Sequence, residues 1–181
     1  MKILLFGVSN VGKSVTGELL AKKLNYDFYD LDDEVKKHLK ITLEEFVSTG
    51  SLIQRDQIRC NLIQSLISKG ENKVIAVTPL SYMQTIQPLL SNSSVLAIEL
   101  FDSPECIFDR LVFSDENDIA YKDDAYKNKH KKHYLSEIRK DLKWYGFVYQ
   151  NIEQHFNMNG QSTEEVVNDL ISKFHLTKLE T

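Results

Sequence analysis

The chain has 181 residues, 42% hydrophobic and 27% charged, a size and balance that suit one domain burying its own core without disulfides or a structural metal. A formal net charge of -4 argues against a nucleic-acid or anionic-membrane surface, and no apolar run is long enough to span a bilayer. Cys60 and Cys106 lie far apart without metal-ligand spacing and are expected as reduced structural thiols; with a Met1-Lys2 start that lacks a signal-peptide cleavage site, they point to the cytoplasm.

Lys2 to Phe6 is a short apolar run that predicts a buried strand. Gly7-Val-Ser-Asn-Val-Gly-Lys-Ser14 follows without a gap and fits the phosphate-loop pattern G-x-x-x-x-G-K-S/T in full. Gly7 and Gly12 permit a tight turn whose N–H groups form an anion-binding nest, Lys13 reaches the β- and γ-phosphates, and the Ser14 hydroxyl ligates Mg²⁺. Apolar residues at 15, 19, 20 and 24 then predict a helix whose N-terminus carries the loop. The expected contacts with a nucleoside triphosphate are Gly7, Asn10, Val11, Gly12, Lys13, Ser14 and Val15.

Tyr26, Phe28 and Leu31 surround a second strand predicted over about residues 27 to 30, which leaves Asp30 and Asp32 at its C-terminal end. In a parallel α/β sheet that end is the ligand-binding edge, where one carboxylate can serve Mg²⁺ and the other can orient an attacking hydroxyl. Asp33 is read as the cap of a helix starting near Glu34. These residues resemble a known family: Gly7 to Ser14, Leu20-Ala-x-x-Leu24 and Phe28-Tyr-Asp-Leu-Asp-Asp-Glu34 look like shikimate kinase, a small P-loop kinase of the nucleoside monophosphate kinase fold. The resemblance implies that Asp30 serves Mg²⁺ and Asp32 contacts the substrate hydroxyl.

Val35 to Gly70 is helical in pattern, with a short helix in Ile41 to Gly50 capped by Thr42 and a longer one over Leu52 to Ser68. By resemblance Arg55, five residues after Gly50, binds a substrate carboxylate through its planar fork, although Gln54 and Ile58 replace the family's Phe and Glu. Arg59, one turn on, reads as a surface residue. A third strand over about Lys73 to Val77 stops at Pro79. Shikimate kinases carry three glycines here against the substrate; this chain has Thr78-Pro-Leu-Ser81, so the acceptor pocket is expected to change shape. Thr78 or Ser81 either hydrogen-bonds the substrate or caps a helix over Tyr82 to Leu90.

Ser93 to Leu100 predicts a fourth, buried strand, and Asp102-Ser-Pro opens a helix that ends near Arg110, a residue expected either near the nucleotide or as a helix-terminal charge. The polar stretch of about 113–132 is where a kinase lid would fall. It holds no Arg, so any lid cation is Lys122, Lys127, Lys129, Lys131 or Lys132; the alternative is a solvated charged face, with His130 and His133 at the surface. His133 to Gln154 reads as a long helix with Tyr134, Ile138, Leu142, Tyr145 and Tyr149 facing the core. Tyr145 stands where the family has a second substrate Arg, which leaves Arg139 as its substitute. His155 to Asn159 predicts a fifth strand and Ser162 to Phe174 a closing helix.

Strands alternating with helices predict a single three-layer α/β domain, a five-stranded parallel sheet flanked by helices, with substrate-binding helices at about 33–70 and a lid at about 113–132. The expected function is an ATP- and Mg²⁺-dependent kinase, working as a monomer, that phosphorylates a hydroxyl of a small anionic metabolite with shikimate the first candidate. Lys13 and Asp32 are the catalytic residues, Ser14 and Asp30 the Mg²⁺ ligands, and Asp32, Arg55, Thr78 and Arg139 the substrate contacts. The alternatives are a kinase for a sugar acid or nucleotide, or a nucleotide-binding sensor that has lost turnover.

Overall fold

The structure, a computed structural model, describes residues 1–179. β1 (Lys2–Phe6) runs through the glycine loop into α1 (Lys13–Leu24), and β2 (Asp27–Asp30) leads directly into α2 (Leu31–Leu39). α3 (Leu43–Ser48) and α4 (Leu52–Ser68) precede β3 (Lys73–Ala76); α5 (Met83–Leu90), β4 (Val95–Phe101) and α6 (Pro104–Asp109) follow. A short antiparallel hairpin of β5 (Phe113–Ser114) and β6 (Ala120–Tyr121) leads to α7 (Asp124–Lys129) and α8 (Lys131–Val148). β7 (Gln154–Asn157) and α9 (Thr163–Lys173) complete the fold.

The described residues form a five-stranded, wholly parallel sheet in the order β2-β3-β1-β4-β7. β1 is central because it is apolar on both faces, as a strand covered on both sides must be. Its Ile3 and Leu5 pack with Leu20, Val166 and Leu170 of α1 and α9, while Leu4 and Phe6 point the other way onto Ile63, Ile86 and Tyr149 of α4, α5 and the end of α8. All five strands point the same way, so the loops after β1, β2, β3, β4 and β7 converge on one edge. Among the described residues no helix is long and apolar enough to cross a membrane.

Two cap assignments change. α2 starts at Leu31 rather than near Glu34, and its cap is Asp30, whose Oδ1 accepts the Asp32 N–H at 3.0 Å; Asp33 lies within the first turn. α5 starts at Met83 with no side-chain cap, so neither Thr78 nor Ser81 caps it. The other expected caps form, including reciprocal capping boxes of Thr42 with Glu45 and of Ser162 with Glu165.

Candidate active site

The glycine loop takes its shape from the strands beneath it. Gly7 has φ +140°, and a Cβ there would stand 2.4 Å from the Leu100 carbonyl oxygen of β4, so only glycine lets the chain turn this close to the sheet. Gly12, at φ +112°, is the N-cap of α1 and offers no side chain to its first turn, leaving those N–H groups for an anion. Lys13 folds back beneath the loop and donates to the carbonyls of Gly7 (3.0 Å) and Val8 (2.8 Å). Burial pushes its ammonium down to about 8, against the pull of Asp32 and Asp30.

Asp30 ends β2 beside α1, where its second carboxylate oxygen accepts the Ser14 hydroxyl at 2.5 Å. This pairing sets two hard oxygen donors side by side, a donor set that fits Mg²⁺, which takes one or two protein oxygens and completes its shell with water and phosphate. Asp32, one residue into α2, turns into a cleft of about 170 Å³ that Lys13, Ser14, Thr78 and Pro79 also line. Its Oδ1 is buried without a hydrogen-bond partner. Burial raises the Asp32 carboxyl above the usual range, the Thr78 hydroxyl, Arg59 and Lys13 pull it down, and Asp30 adds to the rise.

A second cleft, of about 510 Å³, opens on the other side of the loop. Asn10, Gly12, Lys13, Ser14 and Val15 line it, as expected of nucleotide contacts, whereas Val11 is fully buried under the loop and Gly7 lies against β4. Arg110 lines it too: one of its nitrogens donates to Asp102 at 2.7 Å and to the Val11 carbonyl at 3.4 Å, so the guanidinium is fixed against the loop. The cleft's far wall is Met158 with Gln161 to Thr163, the loop after β7, which the sequence reading did not include; its place after a parallel strand was the available signal. Of the lysines in 113–132, Lys122 faces this cleft. Lys127 and Lys131 instead lie over the Phe108 ring, and Lys127 also donates to the Asp109 carbonyl.

The residues expected to bind the acceptor depart furthest from expectation. Arg55 folds back to donate to the carbonyls of Thr49 and Gly50, and lines a groove with Phe46 rather than the cleft at Asp32. Arg139 also stays outside that cleft, half exposed and paired with Glu105 at 2.8 Å, because its turn of α8 faces α6. Arg59 is the cation beside Asp32: it is 6% exposed, not a surface residue, with its nitrogens 3.9 Å from Asp32 and 3.7 Å from Asp56 and its guanidinium over the Phe46 ring. Asp56, fully buried, accepts the Ser81 N–H at 2.7 Å. Tyr149 accepts the Leu80 N–H at 3.2 Å, and Tyr145, stacked on Tyr149, shares a hydrogen bond with the Ser81 hydroxyl. Thr78 remains at the cleft wall.

The family model for shikimate kinase matches residues 9–175 of the chain. A shikimate kinase from Caldicellulosiruptor saccharolyticus is 27% identical over 176 residues, which is 97% of this chain and 96% of that protein. Among solved structures, shikimate kinase from Bacteroides thetaiotaomicron matches with a TM-score of 0.77 at 22% identity, over 97% of this chain and 99% of that one. Shikimate kinase from Acinetobacter baumannii in complex with shikimate matches with a TM-score of 0.72 at 18% identity, over 99% and 95%.

Proposed function

The chain belongs to the shikimate kinase family, and on that premise we propose that it transfers the γ-phosphoryl group of ATP to a hydroxyl of a small acceptor, shikimate being the first to test. The observation that carries the proposal is that Lys13 and Ser14 line both the 510 Å³ and the 170 Å³ clefts, with Asp30 and Asp32 beside them in the second, so that a γ-phosphate and a hydroxyl would face each other there. Asp32 orients the acceptor hydroxyl and takes its proton as oxygen bonds to phosphorus and the bond to the β-phosphate oxygen breaks; its raised carboxyl suits that task. Lys13 leaves its carbonyl partners to hold charge on the transferring group. Ser14 and Asp30 would hold Mg²⁺, which supplies charge neutralisation across the phosphates.

Arg110 and Lys122 flank the nucleotide, the second from the 113–132 segment acting as a lid that excludes water. α2 to α4 form the acceptor-binding side, with Thr78 opposite and Arg59 in the part expected of Arg55. A single domain acting on two small molecules fits a cytoplasmic monomer. The test is ADP release with ATP and Mg²⁺, with and without shikimate, beside a Lys13→Ala control. Shikimate-stimulated release that falls by about 10³-fold in the control is the expected result. ATP binding without stimulated release would instead favour a nucleotide sensor.

A further inference from the structure

Asp102 directly follows β4, and its side chain is 2% exposed. A carboxylate this deep is costly unless its oxygens are partnered, and here both are. Oδ1 accepts the Ser103 N–H at 2.8 Å, Oδ2 accepts an Arg110 N–H at 2.7 Å, and the two share the Gly160 N–H at 3.2 and 3.1 Å. Asp32 and Asp56, by contrast, each leave one buried oxygen without a hydrogen-bond partner. Asp102 is therefore a fixed point rather than a group waiting for a ligand.

Its partners stand on two sides of one cleft. Arg110 lines the 510 Å³ cleft from the end of α6, while Gly160 leads into Gln161 to Thr163, which form the far wall with Met158. Gly160 also lies close on α6, where a Cβ would come 3.1 Å from the Cys106 sulfur. The phosphate loop lines the same cleft and takes the phosphates, which leaves the space between Arg110 and the loop after β7 for the nucleoside.

We propose that Asp102 is a positioning residue for the nucleoside: by fixing the Arg110 guanidinium and the Gly160 amide together, it sets the spacing of the two walls that close on base and ribose. The inference rests on the kinase reading above and goes further in assigning nucleoside affinity to a buried carboxylate behind the cleft. Its charge matters because a hydrogen bond between ions is about twice as strong as a neutral one, so an amide in its place keeps the shape and loosens Arg110.

The experiment measures Kd by calorimetry for ATP and for inorganic tripolyphosphate, both with Mg²⁺. Tripolyphosphate occupies the loop without filling the nucleoside space. Asp102→Asn should weaken ATP binding by about tenfold and leave tripolyphosphate within about twofold. A merely structural role would weaken both alike, and that result, or an unchanged ATP affinity, overturns the proposal. Arg110→Ala removes the same pair from its more exposed partner and should move the ratio in the same direction. An unmoved ratio there overturns the proposal even if Asp102→Asn does not fold. Wild-type protein that binds neither compound overturns the kinase reading and this inference with it. Wild-type binding of both, with the ratio unmoved in the variants, overturns this inference alone.

Discussion

On the nucleotide side, the loop groups facing the cleft, Asn10 and Gly12 to Val15, come from one short stretch held by backbone conformation on a central strand, with Arg110, Lys122 and the loop after β7 completing the walls. Behind the cleft at Asp32, side chains of α2, α4, the loop after β3 and the end of α8 hold one another: Asp56 holds Ser81, Tyr149 holds Leu80, and Arg59 sits between two carboxylates. A backbone cradle changes only if its glycines change. A side-chain network can be altered one residue at a time, so the acceptor side is where relatives of one fold can diverge in what they bind without disturbing the phosphate site.

The sharpest test of this division is Asp32→Asn. Turnover should fall by about 10²- to 10⁴-fold, as for loss of a general base, while ATP affinity stays within about twofold. Unchanged turnover would remove Asp32 from the chemistry. Next in size is Tyr149→Phe, which leaves the Leu80 N–H buried without an acceptor. Thermal or denaturant unfolding should show a loss of about 1–3 kcal/mol, with the acceptor KM raised and ATP affinity retained. A matching loss of ATP affinity would mean that the two sides are not separable.

Lys13 gives a pH signature confined to the nucleotide side. Its ammonium titrates at about 8 in the free protein, and a bound phosphate raises that value, so binding takes up a proton above pH 8. Nucleotide affinity should therefore hold below pH 8 and decline above it, by at most about tenfold per pH unit, with proton uptake visible as a buffer-dependent binding enthalpy. Affinity that rises from pH 8 to 9 would contradict the sign. The smallest expected effect is that of Lys122→Ala, a loss of about three- to tenfold in kcat/KM for ATP, since an exposed lysine is screened by water. An equal loss with Lys127→Ala would show that the cation packed over Phe108 also reaches the phosphates.

What could be read from sequence follows the same boundary. The phosphate loop is contiguous, so residue order alone announces strand, turn and helix, and all five strands of the sheet lie close to their expected positions. Asp30 and Asp32 were legible because they end a strand on the ligand edge. Arg59 reads as a surface residue yet is buried, and the sequence carries a signal for it: Asp56, Arg59, Cys60, Ile63 and Ile67 follow the spacing of one buried helix face, which turns Arg59 inward. Sequence order alone does not bring Asp56 to Ser81 or Tyr149 to Leu80, because those pairs join elements whose packing is fixed only in three dimensions. Arg139 is singled out only by the resemblance, and its turn of α8 pairs it with Glu105.

The central place of β1 has a consequence for synthesis. Residues 2–6 leave the ribosome before either neighbour, and Lys2 pairs with Lys73 on one side and Val95 on the other. Until β4 has been made, the Gly7 turn lacks the Leu100 carbonyl it lies against and β1 lacks one of its two partner strands, so the phosphate loop is not yet held by the sheet that supports it in the folded protein. A bound nucleotide therefore gains its full hold only after β4 has joined the sheet. Its stabilising hold falls selectively on chains that have already closed their sheet, which makes the nucleotide a late inspector of folding rather than an early guide.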